Sequence, residues 1–87
     1  MTTITDIKNT PWAKRFKAEC PTAYDEAIRI ASETPCSVII YHAQDQNVEE
    51  WKWVVESEQE PGFWLDAFDT EDEARELVRE MGWIEIH

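Results

Sequence analysis

Glycine, cysteine and basic residues are all scarce in this 87-residue chain: there are two glycines, two cysteines, and eight Lys or Arg against nineteen Asp or Glu. Two glycines exclude a glycine-rich phosphate loop, and two cysteines are too few for a disulfide framework. The N-terminal residues MTTITDIK contain no apolar run of the kind that directs export, and the longest apolar run, Val38 to Tyr41, is too short to span a membrane. The sequence therefore predicts a cytoplasmic protein with reduced thiols.

The shortage of positive charge lies entirely in one half of the chain. Residues 1–42 hold five positive and five negative side chains, whereas residues 43–87 hold three positive and fourteen negative ones, so the second half carries the whole net charge of −11. This balance argues against direct binding to nucleic acid or to an anionic membrane. It favours a partner protein that has a basic surface.

Length and turn signals predict a single domain over residues 1–87, in which residues 1–9 form a short flexible arm. Thr10 followed by Pro11 is typical of a helix start, with Thr10 as N-cap. Thr22 is the predicted N-cap of a second helix, whose buried stripe comprises Tyr24, Ala27, Ile28 and Ala31.

The rest of the chain predicts three strands, a helix and a last strand. Strands are expected at residues 36–42, 49–58 and 63–68, and the sequence TEDE at residues 70–73 is a capping box that starts the helix. The final WIEIH alternates as a strand, with Ile84 and Ile86 on one face and Trp83 on the other. The expected fold is a two-layer α+β domain: two N-terminal helices, a three-stranded antiparallel meander, and one helix crossover to a C-terminal fourth strand beside the first or the third.

No set of residues in the sequence predicts catalysis, a metal site or a cofactor. Cys36 and His42 lie six residues apart on one strand, about 20 Å at ~3.3 Å per residue, so they do not form a nucleophile–base pair. Asp66, in the aromatic segment FWLDAF, is the remaining candidate for an acid–base carboxylate. The interpretation favoured here is that Asp66 is solvated and that the protein is not an enzyme.

The stretch EEWKWVVESEQEPGFW (residues 49–64) combines five carboxylates with three tryptophans. Strand alternation predicts a dry face that contains Trp51, Trp53 and Val55, and a wet face that contains Glu50, Lys52, Val54 and Glu56. Carboxylates on one face of a strand recur every ~6.6 Å, which led us to consider an acidic surface that imitates nucleic-acid phosphates.

A partner-binding surface is predicted from these acids, from those that follow the turn, and from an aromatic residue among them. An exposed tryptophan among acids is typical of a protein-binding hot spot, and the alternative is cross-strand packing within the sheet. The predicted contact residues are Glu50, Glu56, Glu58, Glu60, Trp64, Asp66, Asp69, Glu71 and Asp72.

In size, charge and α+β make-up the chain resembles small acidic inhibitors encoded by phages and mobile elements, such as DNA-mimic anti-restriction and anti-CRISPR proteins. It also resembles immunity proteins that neutralise nuclease toxins. The resemblance implies a non-enzymatic inhibitor whose partner is a basic, nucleic-acid-handling protein such as a nuclease or CRISPR effector. An oligomeric accessory domain, for example a homodimer that uses an aromatic sheet face, and a small carboxylate-dependent enzyme are the alternatives.

Overall fold

The computed structural model describes residues 7–33, 35–45 and 49–86, and it confirms the predicted α+β order. The elements are helices α1 (Pro11–Glu19), α2 (Tyr24–Ala31) and α3 (Glu71–Met81), and strands β1 (Ser37–Asp45), β2 (Glu50–Ser57), β3 (Trp64–Phe68) and β4 (Ile84–Glu85). The chain divides into two compact units, Met1–Cys36 and Ser37–His87. All fourteen acids and three bases of the second half belong to the second unit.

In the first unit, α1 begins as its sequence predicts. The Thr10 hydroxyl accepts a hydrogen bond from the backbone N–H of Ala13 (3.2 Å), and Pro11 occupies the first turn, where its missing N–H needs no partner. Trp12 and Phe16, one turn apart, have ring centroids 5.6 Å apart. Trp12 is among the most deeply buried side chains of the protein.

Two details of the first unit differ from prediction. Thr22 does not cap a helix, because Pro21–Ala23 forms a 3₁₀ turn and α2 begins after it without a side-chain cap. Residues 1–6 of the expected arm lie outside the described residues. Ile7 and Lys8 are helical, and the Ile7 side chain is only 1% exposed, unlike a flexible arm.

The second unit is built on a four-stranded sheet with the order β3-β2-β1-β4. β1, β2 and β3 form the predicted antiparallel meander, and β4 lies beside β1 and runs parallel to it. The structure thus decides the placement of the last strand, which the sequence left open. Helix α3 follows β3 and precedes β4 in the sequence. It packs on the sheet and provides the crossover between these two strands.

The predicted division of β2 into a dry and a wet face is wrong. Val54 and Val55 point to opposite faces, yet both are 0% exposed, so the middle of the strand is buried on both sides. Trp51, assigned to the core, is 59% exposed, and Trp53 is half-buried. A shift of register between Val55 and Glu56, where β3 has one additional residue, also breaks the simple alternation.

Helix α3 follows its capping signals at both ends. The Thr70 hydroxyl accepts from the backbone N–H of Glu73 (3.2 Å), and Gly82 ends the helix in the left-handed conformation at φ 72°. The predicted apolar stripe is buried in full: Ala74, Leu77, Val78 and Met81.

After α3, the residues of the last strand differ in exposure. Trp83 is buried at 7% exposure, whereas Ile84 and Ile86 are 47% and 42% exposed. Trp83 therefore belongs to the core, and the two isoleucines of the other predicted face belong to the surface.

Candidate partner-binding surface

The acids predicted on β2 differ in their surroundings. Glu50 is exposed and lies 3.3 Å from the Lys52 ammonium. Glu56 is half-buried, and its Oε1 accepts a hydrogen bond from the Tyr41 hydroxyl (2.7 Å). The carboxylates on this face are therefore not a uniform row of solvated charges like a phosphate ladder.

The acids of the β2–β3 turn, Glu58 and Glu60, follow the last residues of β2 that pair with β3. Glu58 is exposed, while its backbone N–H donates to the Ser37 carbonyl (2.9 Å) and so holds the turn to β1. Glu60 is half-buried, and its N–H donates to the Ser57 hydroxyl (3.0 Å). These backbone bonds hold the turn in place, and the Glu58 carboxylate projects from it into solvent.

A second group of acids surrounds the start of α3. Asp69 is 77% exposed and forms an ion pair with Lys52, while Glu71 forms one with Arg75. Asp72 is exposed in the first turn, where the helix dipole favours negative charge. Acids in this first turn stabilise the helix, and they also make its N-terminal end strongly negative.

The three basic side chains of the second unit all lie within ion-pairing distance of acids of the same unit. Lys52 lies between Glu50 and Asp69, and the hydrogen bond to Asp69, followed by that to Glu50, raises the pKa of its ammonium. The hydrogen bond to Glu85 is the main cause that raises the pKa of Arg75. Arg79 forms an ion pair with Glu76. Since all three bases have local partners, the excess of negative charge remains.

Trp64, predicted as an exposed contact residue, is half-buried in a polar network. Its indole N–H donates to the Tyr41 hydroxyl (3.1 Å), and the same hydroxyl donates to Glu56. Burial, and then the hydrogen bond to Glu56, raise the pKa of Tyr41. The network joins β1, β2 and β3, and it gives Glu56 and Trp64 a structural role.

Asp66 lies across from Val55 in the β2–β3 register. It is half-buried, and its Oδ1 accepts from the backbone N–H of Ala67 (2.8 Å). This hydrogen bond to the backbone of the next residue gives the Asp66 carboxylate a structural role within the strand. Its half-exposed position is also compatible with a contact to a partner.

An aromatic cluster on β1 and β2 was missed by the sequence analysis. The His42 ring stacks on Trp53 with centroids 4.7 Å apart and planes 11° apart, and it lies 5.3 Å from Trp51 at a tilt of 50°. Within this cluster, the side chains of His42 and Trp51 are exposed to solvent. The available signal was the pairing of β1 with β2, since the His42–Trp53 register brings these rings together.

The two cysteines differ in exposure and chemistry. Burial, and then the nearby Glu33 carboxylate, raise the pKa of the Cys36 thiol from 9.0 to about 12. A thiol that stays protonated near neutral pH has the opposite character to a catalytic nucleophile. Cys20 is exposed.

No group of three or more His, Cys, Asp or Glu able to hold a metal ion occurs among residues 7–33, 35–45 and 49–86. Within the same ranges, no helix combines the length and apolar character needed to cross a bilayer.

Comparisons of the chain with protein-family models, curated proteins and solved structures found no match.

Proposed function

We propose that this protein is a non-enzymatic binding module whose second unit attaches to a basic surface on another protein. The observation that carries the proposal is the segregation of charge: the unit Ser37–His87 has fourteen acids and three bases, and those bases already have acidic neighbours. Such a unit attracts a basic partner and repels nucleic acid and other acidic surfaces.

The acids best suited to meet the partner are those whose side chains are exposed: Glu50, Glu58, Asp69 and Asp72. Proteins that handle nucleic acid carry basic surfaces for phosphates, so a nuclease or CRISPR effector is the class of partner proposed. A domain attached to such a surface inhibits by occupying it.

The proposal is tested with two variants that have the same total charge. Glu58→Lys/Asp72→Lys changes the acidic unit, while Glu19→Lys/Asp25→Lys changes exposed acids of the first unit by the same four charges. A partner is isolated from the native host on the immobilised wild-type protein and purified, and its affinity for each variant is measured. The first variant should bind at least about tenfold more weakly and the control nearly as wild type, because close charge pairs dominate interface electrostatics. Equal weakening by both variants, or binding insensitive to added salt, would contradict the proposal.

A homodimer is the second candidate, and the observation that favours it is the exposed Trp51 beside His42 and Trp53. Large exposed aromatic side chains are enriched at protein interfaces. Light scattering over a range of concentrations tests this candidate: a dimer that Trp51→Ala converts to monomer supports it, and a monomer at every concentration refutes it.

A further inference from the structure

Strand β1 pairs with β2 along nearly its full length on one side. On the β2 side, the register runs from Val38 opposite Ser57 to Asp45 opposite Glu50. On the other side, within the part of the chain that the structure describes, only Ser37 and Val38 pair with a strand, namely β4. Among residues 7–33, 35–45 and 49–86, no strand pairs with Ile39–Asp45 on that side, and we refer to this part of β1 as the open edge.

Two hydrogen bonds show which backbone groups face that edge. The Ser37 carbonyl accepts from Glu58 on the β2 side (2.9 Å), whereas the Val38 carbonyl accepts from the N–H of Ile86 on the β4 side (2.7 Å). Since backbone groups alternate in direction along a strand, Ile40, His42 and Gln44 direct their N–H and C=O groups to the open edge. These positions span about 13 Å at ~3.3 Å per residue.

The edge lacks the features by which proteins usually discourage strand addition. Lysine, proline and bulges blunt natural edge strands. The segment from Val38 to Gln44 reads VIIYHAQ, with neither lysine nor proline, and its pairing with β2 is continuous. The side chains of His42 and Gln44 are exposed.

An extended peptide suits this edge, because a strand pairs with a row of alternating donors and acceptors. We propose that residues Ile40–Gln44 of β1 bind an extended basic segment of a partner protein as an added strand. A second copy of this chain would bring another net charge of −11, so charge favours a basic segment. The basic character rests on the proposed function, whereas the open edge does not.

An added strand would also use the aromatic cluster. His42 shares its sheet face with Trp53, and Trp51 lies two residues away on that face. Every second side chain of the incoming strand would lie on this face, and one of them would lie beside His42. An Arg or Lys there comes near indole rings, with which cations interact favourably.

The test uses three nine-residue probe peptides and amide hydrogen exchange measured by NMR. One alternates Lys and Val, one alternates Thr and Val, and one is the Lys–Val peptide N-methylated at every backbone nitrogen, so that neither of its edges can pair. The Lys–Val peptide should slow exchange at Ile40, His42 and Gln44 by about tenfold or more, and methylation should weaken its binding by about tenfold, since it removes several hydrogen bonds. Slow exchange at these three amides in the free protein would show that the edge is already occupied and would overturn the proposal.

A matched pair of variants tests the same edge from the side of the protein. Gln44→Pro removes an N–H that faces outward and leaves the ladder to β2 intact, whereas Gln44→Ala retains the N–H. The proline variant should bind the Lys–Val peptide several-fold more weakly and the alanine variant as wild type, with unchanged thermal unfolding in both. Equal binding of all three proteins, no protection at millimolar peptide, or a dimer that Gln44→Pro dissociates would refute the proposal.

The peptides separate this inference from the proposed function. If the Thr–Val and Lys–Val peptides protect the edge equally, the strand site stands but its basic occupant fails, and the Glu58→Lys/Asp72→Lys variant still decides the electrostatic function. If only charge matters, and the N-methylated peptide binds as well as its parent, the electrostatic function stands and the strand site fails.

Discussion

Replacing Tyr41 by phenylalanine should destabilise the protein, because it removes the hydroxyl oxygen and the two hydrogen bonds that this atom makes. The hydroxyl donates to the Glu56 carboxylate at 2.7 Å and accepts from the Trp64 indole at 3.1 Å. A hydrogen bond to a charged group contributes about 1.5–3 kcal/mol and a neutral one about 1 kcal/mol. Because all three side chains are only half-buried, water replaces part of the loss, and the expected decrease in the free energy of unfolding is about 1–2 kcal/mol.

Urea unfolding measures this decrease directly. With a slope of about 1 kcal/mol per molar urea for a small domain, the midpoint should fall by about 1–2 M while the slope stays constant. Trp64→Phe and the double variant complete a cycle, in which the two changes should not add because they share the hydroxyl. A decrease below about 0.5 kcal/mol for Tyr41→Phe, which is the usual range of surface substitutions, would refute the structural role given to this network.

Three further predictions concern helix caps, backbone strain and the buried thiol. Thr70→Ala should lower the free energy of unfolding by about 1 kcal/mol, with Thr70→Ser close to wild type, because serine also accepts from the Glu73 N–H; urea unfolding of both checks this. Glu49 has a positive φ of 56°, so Glu49→Gly should raise the thermal midpoint through relief of about 1 kcal/mol of strain, and a lower midpoint would contradict that conformation. The pKa of Cys36 is higher in the folded protein than its ordinary 9.0, so the stability that this neutral thiol contributes is complete below pH 9 and is lost as the pH rises towards about 12. Cys36→Ala should therefore flatten the fall of stability between pH 9 and 10.5, measured by urea unfolding; an unchanged slope would show that the thiol does not contribute.

Local signals account for the parts of the fold that were predicted correctly. Thr10 with Pro11, Thr70 with Glu73, and Gly82 each set a backbone conformation within one turn, and no distant residue changes that requirement. Thr22 shows the limit of such signals: the preceding Pro21 starts a 3₁₀ turn, so the hydroxyl has no helix start to cap.

The faces of the sheet could not be predicted because they depend on neighbours distant in sequence. Alternation assigned Trp51 to the core and Val54 to solvent, yet the first is exposed and the second is fully buried. The end of β2 that carries Trp51 pairs with the end of β1 near Gln44, at the margin of the sheet, whereas Val54 lies between β1 and β3. Position within the sheet therefore outweighed the sequence pattern.

The predicted contact residues include exposed acids and residues that belong to the hydrogen-bond network of Tyr41. Glu58, Asp69 and Asp72 are exposed acids, as the sequence indicated, while Glu56 and Trp64 belong to the Tyr41 network. The sequence could not reveal this network, since residues 41, 56 and 64 meet only when three strands align. Substitution of Glu56 would thus change stability and binding together, and it is a poor probe of binding alone.

The central claim is that the location of the negative charge, and not its total, determines what this protein binds. The most direct measurement is the dissociation constant of the purified partner for Glu58→Lys/Asp72→Lys and for Glu19→Lys/Asp25→Lys, at low and at physiological salt. We expect the first variant to lose at least about tenfold in affinity at low salt and the control to stay within about twofold of wild type, because the contacts are made by one charged surface. The same affinity for both variants at both salt concentrations would contradict it.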